Sequence, residues 1–319
     1  MKFLNPTNPK EAARSRRSTV TGASAAVALL LFFTGCSDDP APPRSADDSA
    51  AAEPSSATAA STTIPVTPED LKRRLNSWQA QFIMQGNDIT EASLYQSGIR
   101  NITPLKGLPL IAIDLGMTQV TDLSPLAGMR LQRLDLENTP VADLAVLRGM
   151  PLTVLKLQQT KVTDFTVLEG MPLQQLNLLD LPFTDSHFGL IHNAPLETIW
   201  LAGTQVTDLT PLPLQHLESL DIARTSVSSL APLSGAAKLK RLNIADTPVE
   251  DLTSLAGLKL QRITLTPSRI KQGFETLRQM STLTQIQTDL SEPLSAADFW
   301  KRFDLGLYKP ADPQPEASK

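Results

Sequence analysis

The chain has 319 residues, 41% of them hydrophobic, with 29 basic against 33 acidic side chains and one cysteine. That length supports a domain with a substantial core, and a single cysteine excludes an intramolecular disulfide, so any stability outside the cell must come from packing. A mildly acidic balance argues against a nucleic-acid-binding surface.

Residues 1–35 read as an export signal. Lys2, Lys10, Arg14, Arg16 and Arg17 precede an apolar stretch of 11 residues at 23–33. This is too short to cross about 30 Å of hydrocarbon and has the layout of a signal peptide. Phe33-Thr34-Gly35-Cys36 is similar to a bacterial lipobox, although Phe33 stands where such motifs prefer Leu. The resemblance implies cleavage before Cys36 and a diacylglycerol on its thiol. The product would be a lipoprotein anchored to the cell membrane or outer membrane, facing the periplasm or the exterior. A plain signal peptide followed by an incidental thiol is the competing reading. Ser15-Arg16-Arg17 resembles a twin-arginine export signal, but Thr19 occupies a place where a large apolar residue is expected, which leaves an ordinary basic segment. Removing 1–35 takes away five basic groups and Glu11, leaving 24 basic against 32 acidic. A domain of that charge is a poor ligand for an anionic surface, so membrane association would come from the lipid.

Residues 36–66 are rich in Ser, Ala, Thr, Pro and Asp, with Ile64 the only large aliphatic residue before Pro65. Such a segment cannot bury enough apolar surface to order itself and is expected to be a disordered tether with a reach of roughly 30 Å. An N-terminal cap is expected over 67–91. Thr67-Pro68-Glu69-Asp70 opens a helix with an N-cap, a proline in the first turn and an acid at the third position, predicted over 68–79. Strands at 81–85 and 89–96 flank Gly86-Asn87-Asp88 as a hairpin, and Trp78 is assigned to the cap core.

From 92 to 290 the sequence repeats itself. An apolar position recurs at Ala92, Ile113, Leu134, Leu155, Leu176, Ile199, Leu220, Leu242, Ile263 and Ile286, at spacings of 21 to 23 residues. A period this regular means a solenoid, in which each coil leans on its neighbours and none folds alone. Leu131, Leu134 and Leu136 keep an L-x-x-L-x-L spacing that puts Leu134 and Leu136 on one inward face of a strand, the layout of a leucine-rich repeat. Val141, Leu144, Leu147 and Met150 line the return path. Asp122, Asp143, Asp164, Asp185, Asp208 and Asp251 each precede a short turn whose free N–H groups a carboxylate can accept. One carboxylate per coil is too few for a calcium loop. Gly107, Gly128, Gly149, Gly170, Gly235 and Gly257 are expected to supply a tight bend.

The units T-D-L-S-P-L-A-G-M (121–129), T-D-L-T-P-L (207–212) and E-D-L-T-S-L-A-G-L (250–258) resemble the short bacterial leucine-rich repeats of internalin type. They are similar too to the Thr-bearing version in exported and kinase-linked proteins of planctomycete-like bacteria. The resemblance spans 80–304 and implies an α/β solenoid: a horseshoe of about ten coils with a parallel sheet on the concave face, short turns or 3-10 segments on the convex face, and a helical cap at each end. It also implies protein recognition through the concave sheet. Those families carry Asn where this chain has Thr118, Thr139, Thr160, Thr204, Thr225 and Thr247. A hydroxyl donates one bond and cannot replace both amide protons, so the internal polar ladder should be thinner here, and Leu181 interrupts it.

Ligand choice is assigned to the outward position of each strand: Ser93, Asp114, Asp135, Lys156, Asn177, Trp200, Asp221, Asn243, Thr264 and Gln287. These form a face roughly 43 Å long. Arg133 and Arg262 flank it, as do Glu137, Gln158 and Gln175. Trp200 has two readings, an interface anchor or a ring packed on Thr198, Gln175 or a neighbouring loop. At 291–308 a C-terminal cap begins with Ser295-Ala296-Ala297-Asp298, and its Phe299, Trp300 and Phe303 should cover the last coil. A disordered tail follows at 309–319. No catalytic constellation can be assembled. His187, His192 and His216 fit neither a metal motif nor a triad, and there is no nucleophile elbow or phosphate loop. Neither metal nor cofactor is expected. The expected function is that of a lipid-anchored, monomeric, non-enzymatic repeat protein that binds an unidentified protein ligand through Asp114, Arg133, Asp135, Lys156, Asn177, Trp200, Asp221, Asn243 and Arg262. A structural or adhesive component of the cell envelope and a carbohydrate binder stacking sugars on Trp200 are the alternatives.

Overall fold

The computed structural model describes residues 66–288 and 292–308. The chain divides into two units, Met1–Ser61 and Thr62–Lys319, and every described residue belongs to the second. The expected signal, the expected lipidation at Cys36, the expected tether up to Pro65 and the expected tail fall outside the described residues.

Twelve strands form one sheet in strict chain order. They are β1 (Gln81–Gln85), β2 (Asp88–Ser93), β3 (Ala112–Asp114), β4 (Arg133–Asp135), β5 (Val154–Lys156), β6 (Gln175–Asn177), β7 (Thr198–Trp200), β8 (Ser219–Asp221), β9 (Arg241–Asn243), β10 (Arg262–Leu265), β11 (Gln285–Thr288) and β12 (Leu294–Ser295). Strands β2 to β11 are parallel, and β1 and β12 close the two ends as antiparallel additions. Ala92, Ile113, Leu134, Leu155, Leu176, Ile199, Leu220, Leu242, Ile263 and Ile286 stand side by side in register along the whole array. All ten are buried and belong to one continuous core. The leucine repeat therefore sets the register directly: a slip by one residue would turn every one of these side chains to solvent.

Longer coils place their extra residues on the back. The two 23-residue intervals carry short helices, α2 (Phe188–Ile191) and α3 (Phe274–Arg278), and the 22-residue interval carries a five-residue 3-10 turn, Ala231–Gly235. Most other coils turn through three residues, as at Ser124–Leu126 and Thr253–Leu255. The aspartates act there as the sequence suggests. The Oδ1 atoms of Asp122, Asp143, Asp164, Asp208 and Asp251 accept the backbone N–H two residues on, at 2.8–2.9 Å. That bond holds the carboxyls of Asp122, Asp164 and Asp251 below the usual range. Asp185 differs, because its coil has the longer turn; it accepts from Thr207 and Asp208 of the next coil. Gly235 lies inside its 3-10 turn, without the positive φ of its counterparts at Gly107, Gly128, Gly149, Gly170 and Gly257.

The threonine ladder is as thin as hydroxyl chemistry requires. Thr118, Thr139, Thr160, Thr204, Thr225 and Thr247 each donate to the carbonyl three residues back at 2.6–2.7 Å, and Leu181 fills the corresponding place with a buried apolar side chain.

The two caps are built differently. Thr67 caps α1 (Pro68–Arg74) by accepting from Asp70 N–H at 3.2 Å. This helix stops well before the predicted residue 79. Asn76 adopts a left-handed conformation, and the N–H groups of Asn76 and Ser77 return to the carbonyls of Arg73 and Lys72, a Schellman closure. Termination there cuts the stripe Leu71, Leu75, Trp78. The first two are buried, whereas Trp78 is 73% exposed and takes no part in the cap core, contrary to the expectation. At the far end Ser295 caps α4 (Ala296–Asp304). There Phe299 is fully buried and joins Phe274, Trp300, Phe303 and Tyr308 in a cluster of ring contacts, with the Arg278 guanidinium 4.8 Å above the Trp300 ring.

Candidate functional site

Ser93, Asp114, Asp135, Lys156, Asn177, Trp200, Asp221, Asn243, Thr264 and Gln287 form one column, consecutive rungs of the parallel ladder. Most are half-buried rather than fully exposed. Thr264 departs from the expectation of an outward, solvated residue: it is buried, flanked in register by Asn243 and Gln287. Arg133 and Arg262 lie one column over, on β4 and β10. Six rungs separate them, roughly 29 Å, so no small molecule touches both.

Much of this column also serves the scaffold, which residue type alone did not reveal. Oδ1 of Asp114, Asp135, Asn177, Asp221 and Asn243 accepts the backbone N–H two residues on, at 2.9–3.1 Å. Each closes the end of its strand in an Asx turn. The recurrence of Asp and Asn here is thus explained by local folding, with a second oxygen left for other contacts on each aspartate and an amide group on each asparagine. Lys156 and Trp200 interrupt the series, since neither side chain has an oxygen to offer.

Polar groups pair along the N-terminal half. Lys156 Nζ lies 2.7 Å from Asp135 Oδ2 and Arg133 lies 2.9 Å from Glu91. Ser93 Oγ donates to Asp114 Oδ2 at 3.4 Å. Burial, then the neighbouring Asp135 carboxylate, pushes the Asp114 carboxyl up to about 6. Burial also raises the Asp221 carboxyl, and Arg262 Nε donates to Gln285 Oε1 at 2.7 Å.

The centre of the face is different. Trp200 is half-buried, and among the described residues no aromatic ring stacks on it. Below it runs a second outward column, of which the sequence reading named Glu137 and Gln158 but missed the apolar part, where Ala202, Ala223 and Ala245 cluster with Leu179. The signal was available: at Ala202, Ala223 and Ala245 a small residue stands two places after the outward residue, at the same pleat phase. In the same column Gln158 is 8% exposed, and its Oε1 is a buried oxygen that meets no donor among the described residues. An unmet buried acceptor is uncommon in a folded protein.

The histidines form no such gathering among the described residues. His187 Nδ1 accepts from Thr184 N–H at 3.0 Å in a capping box, and its ring packs on Phe165 and Phe183. His192 and His216 are exposed, the latter 3.3 Å from Lys238 Nζ. Among the described residues no three metal-binding side chains converge, and no helix is long and apolar enough to cross a membrane. A depression of about 500 Å³ lined by Asp208, Thr210 and Pro232 sits at the back turns, away from the sheet.

No family model matches the chain, and no curated protein matches it. Solved structures do. Internalin C2 of Listeria monocytogenes is similar over 56% of this chain and 81% of its own, at 30% identity and a TM-score of 0.50. An internalin, inlF, of the same organism aligns over 70% of this chain and 94% of its own at 16% identity and a TM-score of 0.45. The functional domain of InlJ, which includes a cysteine ladder, aligns over 63% of this chain and 53% of its own at 14% identity and a TM-score of 0.41. With in-register leucines, 3-10 turns on the back and this likeness to internalin C2, the chain belongs to the bacterial leucine-rich-repeat proteins of internalin type.

Proposed function

We propose that the chain is an exported recognition protein, held at a membrane by a lipid on Cys36, that binds another protein through the centre of its concave sheet. The carrying observation is Trp200, a half-buried indole on the open face with no aromatic partner among the described residues and no part in the Asx series that occupies its neighbours. Large amphipathic rings in such places are preferred binding anchors. Around it lie the features a partner would complete: the Leu179 and Ala202 floor, the unmet Gln158 oxygen and the half-buried Asp221 carboxylate, with that of Asp114 four rungs along the same column. These favour a partner segment presenting an apolar side chain, an N–H donor and a cationic group. Arg133 and Lys156, already paired, set the local charge pattern and steer approach.

A photo-crosslinking amino acid placed at Trp200, with Ser229 on the back as its control, tests this in intact cells. The proposal expects a single discrete protein adduct at 200 and none at 229. Equal, diffuse adducts at both positions would favour a structural envelope component, and a sugar-bearing adduct would favour carbohydrate binding; either result overturns the proposal.

A further inference from the structure

The N-terminal cap differs from the sheet in charge. A cavity of about 310 Å³ lies between the end of α1 and the first coil, lined by Arg74, Asn76, Arg100 and Asn101 among others, and none of its lining residues is acidic. Arg74 and Arg100 are exposed and form no ion pair among the described residues. The carbonyls at the end of α1 are closed by Asn76 and Ser77 N–H groups, so the arginine is not spent on capping. Asn101 Oδ1 accepts from Thr103 N–H at 2.8 Å, which leaves its amide protons for a ligand. Two guanidinium forks and an amide donor at one cavity are the chemistry that receives a phosphate group.

Three further observations select the source of that phosphate. Trp78, two residues beyond Asn76, is 73% exposed, and Ile83 and Met84 of β1 are 39% and 42% exposed. Indoles in such settings sit at the boundary between lipid and water. Residues 66–106 hold five basic against four acidic side chains, whereas 107–308 hold 16 against 21. An anionic surface therefore repels most of the domain and tolerates this end. Finally, Cys36 lies thirty positions ahead of Val66, where the described domain begins, at this same cap. We infer that the cap seats the glycerophosphate headgroup of an anionic phospholipid between Arg74 and Arg100, with Trp78 at the bilayer surface. The inference rests, for its orientation, on the reading of Cys36 as the anchor. Bound this way, the cap faces the membrane and the concave sheet stands clear of it.

The test uses the chain from position 36 onward with Cys36→Ser, so that headgroup binding is measured without acylation. Sedimentation with vesicles of phosphatidylcholine, alone or mixed with phosphatidylglycerol, should show binding only to the mixture. Arg74→Gln and Arg100→Gln should each weaken it about fivefold and together about 25-fold. Lys259→Gln, an exposed charge far along the solenoid, should leave it unchanged, with all variants melting alike. Equal binding to neutral vesicles, or equal weakening by Lys259→Gln, overturns the site. Binding of free glycerol 3-phosphate as tight as that of vesicles overturns the membrane assignment. Mass spectrometry of membrane-bound protein tests the anchor separately: an unmodified Cys36 overturns the anchor and its orienting role, while the vesicle result judges the headgroup site on its own.

Discussion

The two ends of the solenoid solve one problem in different ways. Each must cover the exposed core of a terminal coil. The C-terminal end does so with aromatic volume: Phe299 fully buried, rings of Phe274, Trp300, Phe303 and Tyr308 around it, and Arg278 bridging to Asp304 across the cluster. The N-terminal end uses aliphatic side chains, Leu71 and Leu75, with Phe82 packed on the continuous core, and leaves Trp78, Ile83 and Met84 exposed. An aromatic residue near a chain end is thus no guide to its role. Trp300 lies within α4 and packs with its rings, whereas α1 ends four residues before Trp78, and that early stop leaves the Trp78 indole unpacked.

The comparison can be broken most directly by truncating the packed ring. Phe299→Ala should lower unfolding free energy by about 3–5 kcal/mol, measured by urea denaturation. A loss under about 1 kcal/mol would mean that the C-terminal cluster does not carry that cap. Close packing at the same end gives a second test. Gly273 has φ 91°, and a Cβ there would meet Thr253 N at 2.7 Å and the Leu252 backbone at 2.8 Å. Gly273→Ala should therefore cost about 2 kcal/mol or more, and a neutral result would mean the coil can relax away.

Ionisation on the sheet supplies a third effect. The Asp114 carboxyl is pushed up to about 6, above the unfolded value of about 4. Between those pH values the folded chain binds more protons than the unfolded one. The contribution of this group to stability is full below about pH 4 and is lost as pH rises through 6. Asp114→Asn keeps an oxygen for Gly116 N–H and removes the ionisation. It should raise stability at about pH 7 by about 1–2 kcal/mol and flatten the pH dependence between about pH 4 and 6. An unchanged slope would show that the carboxylate is better solvated than its setting implies. The smallest expected effect completes the comparison of caps: Trp78→Ala should change stability by less than about 0.5 kcal/mol.

The architecture was readable because it follows from apolar spacing alone. The positions from Ala92 to Ile286 pair in register as their period demands, and the hydroxyl count of Thr118 and its counterparts foretold a one-bond ladder. What escaped depends on backbone geometry that several residue types share. Asn76 ends α1 early through a left-handed turn, the same conformation that Met117, Gln159 and Arg224 adopt at the close of their strands with no common side-chain chemistry. β12 is two residues long and exists only because β11 offers an open edge. The outward column was legible as a place but not as a set of roles, since an aspartate that closes an Asx turn and one that meets a ligand look alike in sequence. Within the run from Asp114 to Asn243, residue type separates the two only at Lys156 and Trp200, where that series breaks.

The decisive measurement is a paired one on Trp200→Ala: affinity for the protein crosslinked at that position, and melting temperature. The account predicts about 30-fold weaker binding, equivalent to about 2 kcal/mol, with the melting transition unmoved. Binding that survives the substitution, or binding and melting that fall together, would contradict it.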